Sequence, residues 1–404
     1  MGAGIVFLGD DFTGASDSLA TYAGRGLATR LVTGRAAPAA GLDVLGIATD
    51  LRSLSPERAE EVVDRLWPMI ECEAPGRLHL KVCSTFDSAP HVGSIGAVAS
   101  ALIARFEPDV TAVIGGQPSL GRHCAFGTLF ARGPDGMVHR IDRHPVMANH
   151  PVTPMTEADL GRHLGAQGLD LSEWITLADL PDPDNVATRL RRAPALVDVT
   201  TAEDQARIRA ALDIAGGRQL LVGASSVAEI LGGPPTRRAP VLPPTRPGGL
   251  LVFAGSRSSV TADQVARAAS LEPLALTPAR LGDPATIDRV AARLNREAPL
   301  LVHLEPGADY GRSPDRLADD CAAFVTAVAR QVPLRALGLA GGDSSSRIVA
   351  RMGFDALDFL ADLGQGACVC LGRHADLAQD GMPVMLKGGQ MGSADLFDRF
   401  AARF

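Results

Sequence analysis

Along the first half of the chain, short apolar runs bounded by glycine and acidic residues alternate with stretches whose apolar positions recur at helical spacing. Runs at 4–8, 28–32, 44–49, 78–83, 110–114 and 195–199 read as strands, and 55–70 and 96–106 read as helices. Ser55-Pro56 supplies an N-cap hydroxyl followed by proline in the first helical position, a strong start signal. Strand and helix in alternation predict a mainly parallel sheet flanked by helices. Residues 140–167, rich in His and Pro, fit neither period; the expectation there is loops and one helix from Thr156, with Glu157 and Asp159 in its first turn.

The pattern breaks at 232–249, where prolines and glycines crowd together and allow neither a helix nor a central strand. It then restarts. Strands at 250–254, 300–304, 336–340 and 383–386 lead into helices near 260–269, 314–330, through 350, and to the C-terminus. The fold class expected is therefore α/β, with two domains that are each a mainly parallel sheet flanked by helices: 1–235, a Pro/Gly-rich linker at 236–249, and 250–404.

Length agrees, since 404 residues exceed one ordinary core. A formal charge of −7 argues against a broad basic face for nucleic acid, though not against a local basic pocket. Six cysteines are scattered, and the one close pair, Cys368-Val369-Cys370, suits alternate faces of a strand better than a zinc knuckle. With no leader-like N-terminus and no run of about 18 apolar residues, a soluble protein of the reducing cytoplasm, with no membrane partner, is expected. A homodimer is the default expectation for a metabolic enzyme.

Chemistry-bearing residues collect where strands end, the edge at which open α/β sheets bind ligands. Gly9-Asp10-Asp11-Phe12-Thr13-Gly14-Ala15-Ser16-Asp17-Ser18 sets two adjacent carboxylates at the end of the first strand. By itself such a pair is a capped, solvated turn as readily as a site. Arg52 follows the third strand, and Lys81-Val82-Cys83-Ser84-Thr85-Phe86-Asp87 closes the fourth. An ammonium at the end of a buried strand needs a partner, either Asp10, Asp11 or Asp87, or the carboxylate of a substrate; a guanidinium beside it is a carboxylate clamp. In the second half, the loops at 255–259, 341–346 and 388–392 are rich in Gly and Ser and follow strands. Such loops let backbone amides approach a polyphosphate, although none has the P-loop or G-x-G-x-x-G spacing. His139, His144 and His150 lack metal-site spacing, and no G-x-S-x-G elbow occurs.

Taken together, Gly9-Asp10-Asp11-Phe12-Thr13-Gly14-Ala15-Ser16-Asp17, Lys81-Val82-Cys83-Ser84-Thr85-Phe86-Asp87-Ser88, Gly255-Ser256, Gly341-Gly342-Asp343-Ser344 and Lys387-Gly388-Gly389-Gln390-Met391-Gly392 resemble, in order and over nearly the whole chain, the four-carbon acid sugar kinases. Gly121-Arg122 with Phe126-Gly127, and His150-Pro151-Val152-Thr153-Pro154-Met155, also resemble that family's first domain. The resemblance implies a first domain for an acid sugar, a second for ATP with Mg²⁺, and an active site in the cleft between domains. By the same resemblance Asp10 and Asp11 are the catalytic candidates, with Arg52, Lys81, Val82, Cys83 and Ser84 binding the sugar. Ser256, Gly341, Gly342, Asp343, Ser344, Gly388 and Gly389 match the nucleotide-binding positions. Three features depart from the family pattern. Gly-Gly-Asp-Ser-Ser stands for Gly-Gly-Glu-Thr-Ser, Lys-Gly-Gly-Gln-Met-Gly stands for Lys-Ser-Gly-Asn-Phe-Gly, and an acidic stretch ending in Pro-Gly-Val-Pro is missing around 363–371.

The implied reaction moves the γ-phosphoryl of ATP to a primary hydroxyl of a tetronate, threonate, erythronate or branched oxo-acid, by positioning and charge stabilisation. Two rivals make different predictions. A nucleotide-cofactor dehydrogenase requires a dinucleotide fingerprint that the first loop lacks; a sugar-acid sensor would keep Arg52 and Lys81 and bind no ATP.

Overall fold

The computed structural model describes residues 2–33, 41–236, 242–296, 298–364 and 366–404. Of the linker read at 236–249, residues 237–241 lie outside the described residues. The described chain divides into two compact units, one of residues 2–29 with 41–236, the other of residues 30–33 with the chain from 242 onward.

The first unit opens with β1 (Ile5–Gly9) and α1 (Phe12–Ala23), followed by β2 (Thr29–Val32), most of which belongs to the other unit. Next come β3 (Val44–Ala48), α2 (Pro56–Glu73), β4 (Arg77–Lys81), α3 (Ile95–Phe106) and β5 (Val110–Ile114). Ser55 caps α2 as its sequence predicts, accepting from the Arg58 amide. Four short strands make a separate antiparallel sheet: β6 (Gly116–Gln117), β7 (Arg122–Ala125), β8 (Thr128–Arg132) and β9 (Val138–Arg140). Periodicity does not indicate them, because two to five residues are too few to establish it. The unit ends with α4 (Leu160–Gly165), β10 (Glu173–Ile175), α5 (Pro183–Arg192), β11 (Ala195–Val197), α6 (Ala202–Ala215), β12 (Gln219–Gly223) and α7 (Ser225–Gly232). Helix α4 starts later than Thr156. The Asp159 carboxylate accepts from the Arg162 amide as the cap, and Glu157 lies outside, bonded to the amides of Ala158 and Asp159.

The large sheet of this unit runs β10-β11-β5-β12-β4-β1-β3, all parallel. Val6, Leu8, Ile47, Leu78, Leu80, Leu220 and Val222 are buried on one face and Phe7, Val44, His79 and Leu221 on the other, as strands covered on both faces require. Register aligns Gly9 with Ala48 and with Lys81, and Lys81 with Gly223. Four neighbouring strands thus end at one level, and the residues after them share one edge.

The second unit contains β13 (Gly249–Ala254), α8 (Ser259–Arg267), β14 (Glu272–Leu276), α9 (Pro284–Leu294), β15 (Leu300–Leu304), α10 (Pro314–Gln331), β16 (Leu334–Ala340) and α11 (Gly342–Met352). It closes with β17 (Ala356–Gly364), β18 (Ala367–Arg373), β19 (Met382–Lys387) and α12 (Leu396–Ala401). Strands β19-β16-β13-β15-β14 are parallel, and Ala254, Ala340 and Lys387 align at their ends. Beyond β19, the pair β18 and β17 runs antiparallel, and residues 30–32 of β2 add a further antiparallel strand on β17. Arg30 fixes that addition with two bonds to Asp358, at 2.6 and 2.9 Å, and Arg373 bonds the same carboxylate. Cys368 and Cys370 do lie on a strand, but on one face rather than alternate faces. The side-chain period is two, so residues two apart point the same way, and their sulfurs are 3.9 Å apart.

Candidate functional site

The β1–α1 junction turns the two adjacent aspartates to different work. Asp11 is the N-cap of α1; its Oδ1 accepts from the Gly14 amide and its Oδ2 from Arg52 Nη1 at 3.0 Å. Asp10 is held by its backbone, its amide donating to the Lys81 carbonyl and its carbonyl accepting from the Arg52 amide, both at 3.0 Å. The residue is only 8% exposed, and among the described residues its Oδ1 is buried without a hydrogen-bond partner. Burial, followed by the nearby charge of Asp11, pushes the Asp10 carboxyl up to about 7, against the opposing pull of Lys81 and Arg52.

Arg52 also bonds Asp87, whose other oxygen accepts from Thr85 Oγ1. These bonds use two of five guanidinium donors. Burial works against the Arg52 charge, but the surrounding carboxyl groups of Asp87, Asp10 and Asp11 hold it firmly protonated. Lys81 is 4% exposed and donates to the Val82 carbonyl at 2.9 Å. Among the described residues it makes no ion pair, so the pairing with Asp10, Asp11 or Asp87 that its position suggested is not formed. Gly14 leaves room for it, since a Cβ there would stand 2.7 Å from Nζ. Cys83 Sγ lies 3.0 Å from Thr85 Oγ1, and burial pushes its thiol up to about 11, so it is no nucleophile at neutral pH. Val82 is buried, and Ser84 is half-buried beside it. Phe86 adopts a left-handed φ of 54° in the same loop, a cost that a non-glycine residue bears only when its surroundings enforce it.

Sequence reasoning gave no role to Asp17 or Ser225, which sit beside this cluster. Ser225 Oγ donates to Asp17 and lies 3.0 Å from Ser18 Oγ. Burial raises the Asp17 carboxyl while Lys81 draws it down. The signal was available: Asp17 lies two turns into α1, in the motif that carries Asp10, and Ser225 follows a strand end.

In the second unit the loops after β13, β16 and β19 converge, because those strands are neighbours ending at one level. Gly341 has φ 123°, and a Cβ there would lie 2.9 Å from the Ser256 amide. A Cβ on Gly389 would stand 2.6 Å from Ser256 Oγ, so Ser256, Gly341 and Gly389 meet only because two of them are glycines. Ser258 caps α8, and Ser258 Oγ and Thr261 Oγ1 both donate to the Gly389 carbonyl. Gly342 opens α11 with Asp343 exposed in its first turn, Ser344 is buried, and Gly388 is buried next to Lys387. Among the described residues the buried Ser345 hydroxyl has no partner. Sequence pattern alone assigns no role to Thr261, Gln264 or Lys387. Gln264 Nε2 donates to the carbonyls of Met391, Gly392 and Ser393, pinning the third loop.

The histidines of 139–150 are engaged locally. His139 bonds Asp135, and ring nitrogens of His144 and His150 accept backbone amides at 146–147 and 153. Among the described residues no helix is long and apolar enough to cross a membrane.

One unit thus presents carboxylates and cations at its strand ends, and the other presents glycine loops suited to phosphate, the composition of a protein that handles a small polar acid together with a nucleotide. Comparison with known proteins makes this specific. Residues 5–231 match the family described as the sugar-binding N-terminal domain, and residues 251–397 the nucleotide-binding C-terminal domain, so the chain belongs to the family built from these two domains. It is similar to a 3-oxo-isoapionate kinase of Paraburkholderia graminis, 33% identical over 97% of this chain and 93% of that one. It is similar also to a 3-oxo-tetronate kinase of Cupriavidus necator, at 29% identity over 97% and 95%. A Salmonella typhimurium LT2 protein described as a tRNA synthase shares the fold, with TM-score 0.81 and 22% identity over 99% of both chains.

Proposed function

We propose that this kinase transfers the γ-phosphoryl group of ATP to a primary hydroxyl of a short acid sugar, a 3-oxo-tetronate or a branched 3-oxo acid of the isoapionate kind. Its place is in cytoplasmic carbohydrate catabolism. The observation that carries the proposal is the unpartnered, buried Asp10 oxygen beside Lys81 and Arg52 at one strand edge. A buried carboxyl near 7 is matched to taking a proton from a hydroxyl at neutral pH, and two cations beside it suit the acid group of the substrate.

In this reading Lys81 and the remaining Arg52 donors hold the sugar carboxylate, and Asp10 accepts the hydroxyl proton as the oxygen bonds to Pγ. The Pγ–O bond to the β-phosphate breaks, ADP leaves, and Asp10 returns its proton to solvent. Asp11 positions Arg52 and α1 rather than touching the reacting atoms. Ser256, Gly341, Gly342, Ser344, Gly388 and Gly389 would receive the phosphates on backbone amides and hydroxyls. The exposed Asp343 carboxylate in the first turn of α11 is a hard oxygen donor, fitting a Mg²⁺ that takes most of its ligands from phosphate and water. When bound, that ion neutralises phosphate charge. The Glu to Asp change in this loop therefore keeps its donor type.

ATP consumption measured against 3-oxo-tetronate, 3-oxo-isoapionate, erythronate and threonate tests the proposal. Turnover of at least one oxo acid is expected; folded protein that binds ATP and turns over none of them would sink it. Calorimetry with ATP and Mg²⁺ separates a sugar-acid sensor, which gives no heat of binding.

A further inference from the structure

Lys387 closes β19, in the middle of the second unit's sheet, and is 3% exposed. Its Nζ donates to Thr261 Oγ1 at 2.7 Å and to the Gly389 carbonyl at 3.4 Å, and stands 6.0 Å from the centre of the Phe397 ring. No carboxylate answers it among the described residues. The helices that follow the three loops carry Asp263 and Arg267 on α8, Asp343, Arg347 and Arg351 on α11, and Asp398 and Arg399 on α12. Asp398 is occupied by the amides of Ala269 and Ser270, Arg347 by Asp315 and Asp319, and Arg399 by Ser393. None of these groups forms an ion pair with Lys387.

An ammonium out of water with two neutral acceptors and no counter-charge is costly, and a fold keeps one only where the charge is used. This one lies where the loops meet. The Gly389 carbonyl that it touches also receives Ser258 and Thr261, and Ser256 Oγ abuts Gly389 on the same turn. We propose that Lys387 is a positioning residue for nucleotide, whose ammonium holds the Gly388–Gly389 turn against α8 and whose missing counter-charge is supplied by the docking phosphates, so that nucleotide binding is coupled to its protonation. The inference rests on the reading that the second unit binds ATP.

Burial lowers the Lys387 ammonium to about 8 in the free protein, and a polyphosphate brought close favours the charged form and raises it again. Between those two values the free protein is deprotonated and the complex is not. Binding then takes up a proton, and affinity falls by up to about tenfold per pH unit as pH rises.

Calorimetric titration with MgATP, without acid sugar, in buffer pairs of differing ionisation enthalpy from about pH 7 to 9.5 tests this. Wild type should approach one proton taken up per ATP near pH 9, with Kd rising as pH rises. Lys387→Met should bind more weakly at pH 7 with no uptake and a flat profile, and Lys387→Arg should retain affinity and lose the profile. ATP bound by wild type with a flat Kd and no proton uptake would overturn the inference while leaving ATP binding intact, and needs no variant to fold. Uptake undiminished in Lys387→Met would also overturn it. Wild type that binds no ATP at any pH would overturn the reading beneath it, and this inference with it.

Discussion

Asp11 spends both carboxylate oxygens, one on the Gly14 amide and one on Arg52, whereas Asp10 keeps a buried oxygen free. Removing each should therefore fail differently. Asp10→Asn should lower kcat by about 10²- to 10⁴-fold with ATP affinity unchanged, measured by steady-state kinetics and calorimetry. Its stability should move the other way. A carboxyl raised to about 7 when folded contributes its stability below its ordinary range, near pH 4, and loses it as pH rises through 7. Asp10→Asn should thus unfold at higher denaturant than wild type at pH 8, by up to about 4 kcal/mol, the difference shrinking toward pH 4. Asp11→Asn, which still caps α1 but loses its charge toward Arg52, should instead be less stable by about 1 kcal/mol or less, with the smaller loss of kcat. At Arg52, replacement by Lys keeps the charge but not the fork that spans Asp11 and Asp87. KM for the acid sugar should rise about 10- to 100-fold in initial-rate assays, the worth of one or two charge-assisted bonds.

Among elements, the three loops of the second unit depend on glycine where strand meets helix. Gly341→Ala would impose a φ of 123° on a side chain and press its Cβ on the Ser256 backbone. About 1–3 kcal/mol of strain should appear as weaker ATP binding by calorimetry, with binding of the acid sugar to the first unit unchanged. Elements of this kind were the legible part of the fold. Most buried parallel strands announce themselves as continuous apolar runs, although β10, β12 and β14 went unread, and Ser55-Pro56 announced α2 through its cap. The 116–140 sheet and the pairing of β18 with β17 were not legible, since short or mixed runs acquire meaning only from the partner strand, although Cys368-Val369-Cys370 did point to a strand. The same divide holds at the site. Asp10, Arg52 and Lys81 were visible because polar residues at strand ends are conspicuous, and Lys387 carried the same signal. That Arg52 is tied to Asp87, and that Lys81 is paired with neither Asp10 nor Asp11, depends on side-chain reach that no spacing encodes.

For the whole molecule, the proline-rich stretch marks a boundary in sequence, but the second unit also uses residues 30–33. A fragment of residues 242–404 would lack β2, leaving the β17 backbone at 356–358 unpaired and Asp358 without Arg30. Such an exposed edge is a template for association. The fragment should elute as aggregates in size-exclusion chromatography, and a fragment carrying an added strand equivalent to residues 29–33 should recover a soluble species. A clean, stable monomer of the bare fragment would refute this.

The strand taken from residues 30–32 has a further consequence, for biosynthesis. Translation delivers it long before residues 356–358, its hydrogen-bonding partners, exist. The emerging chain must therefore carry one edge of this short segment unpaired until residues 356–358 are made, and the second unit cannot complete its sheet before then. Truncated products from premature termination should then be candidates for chaperone capture, and splitting the gene at the proline-rich stretch would not yield two self-sufficient proteins.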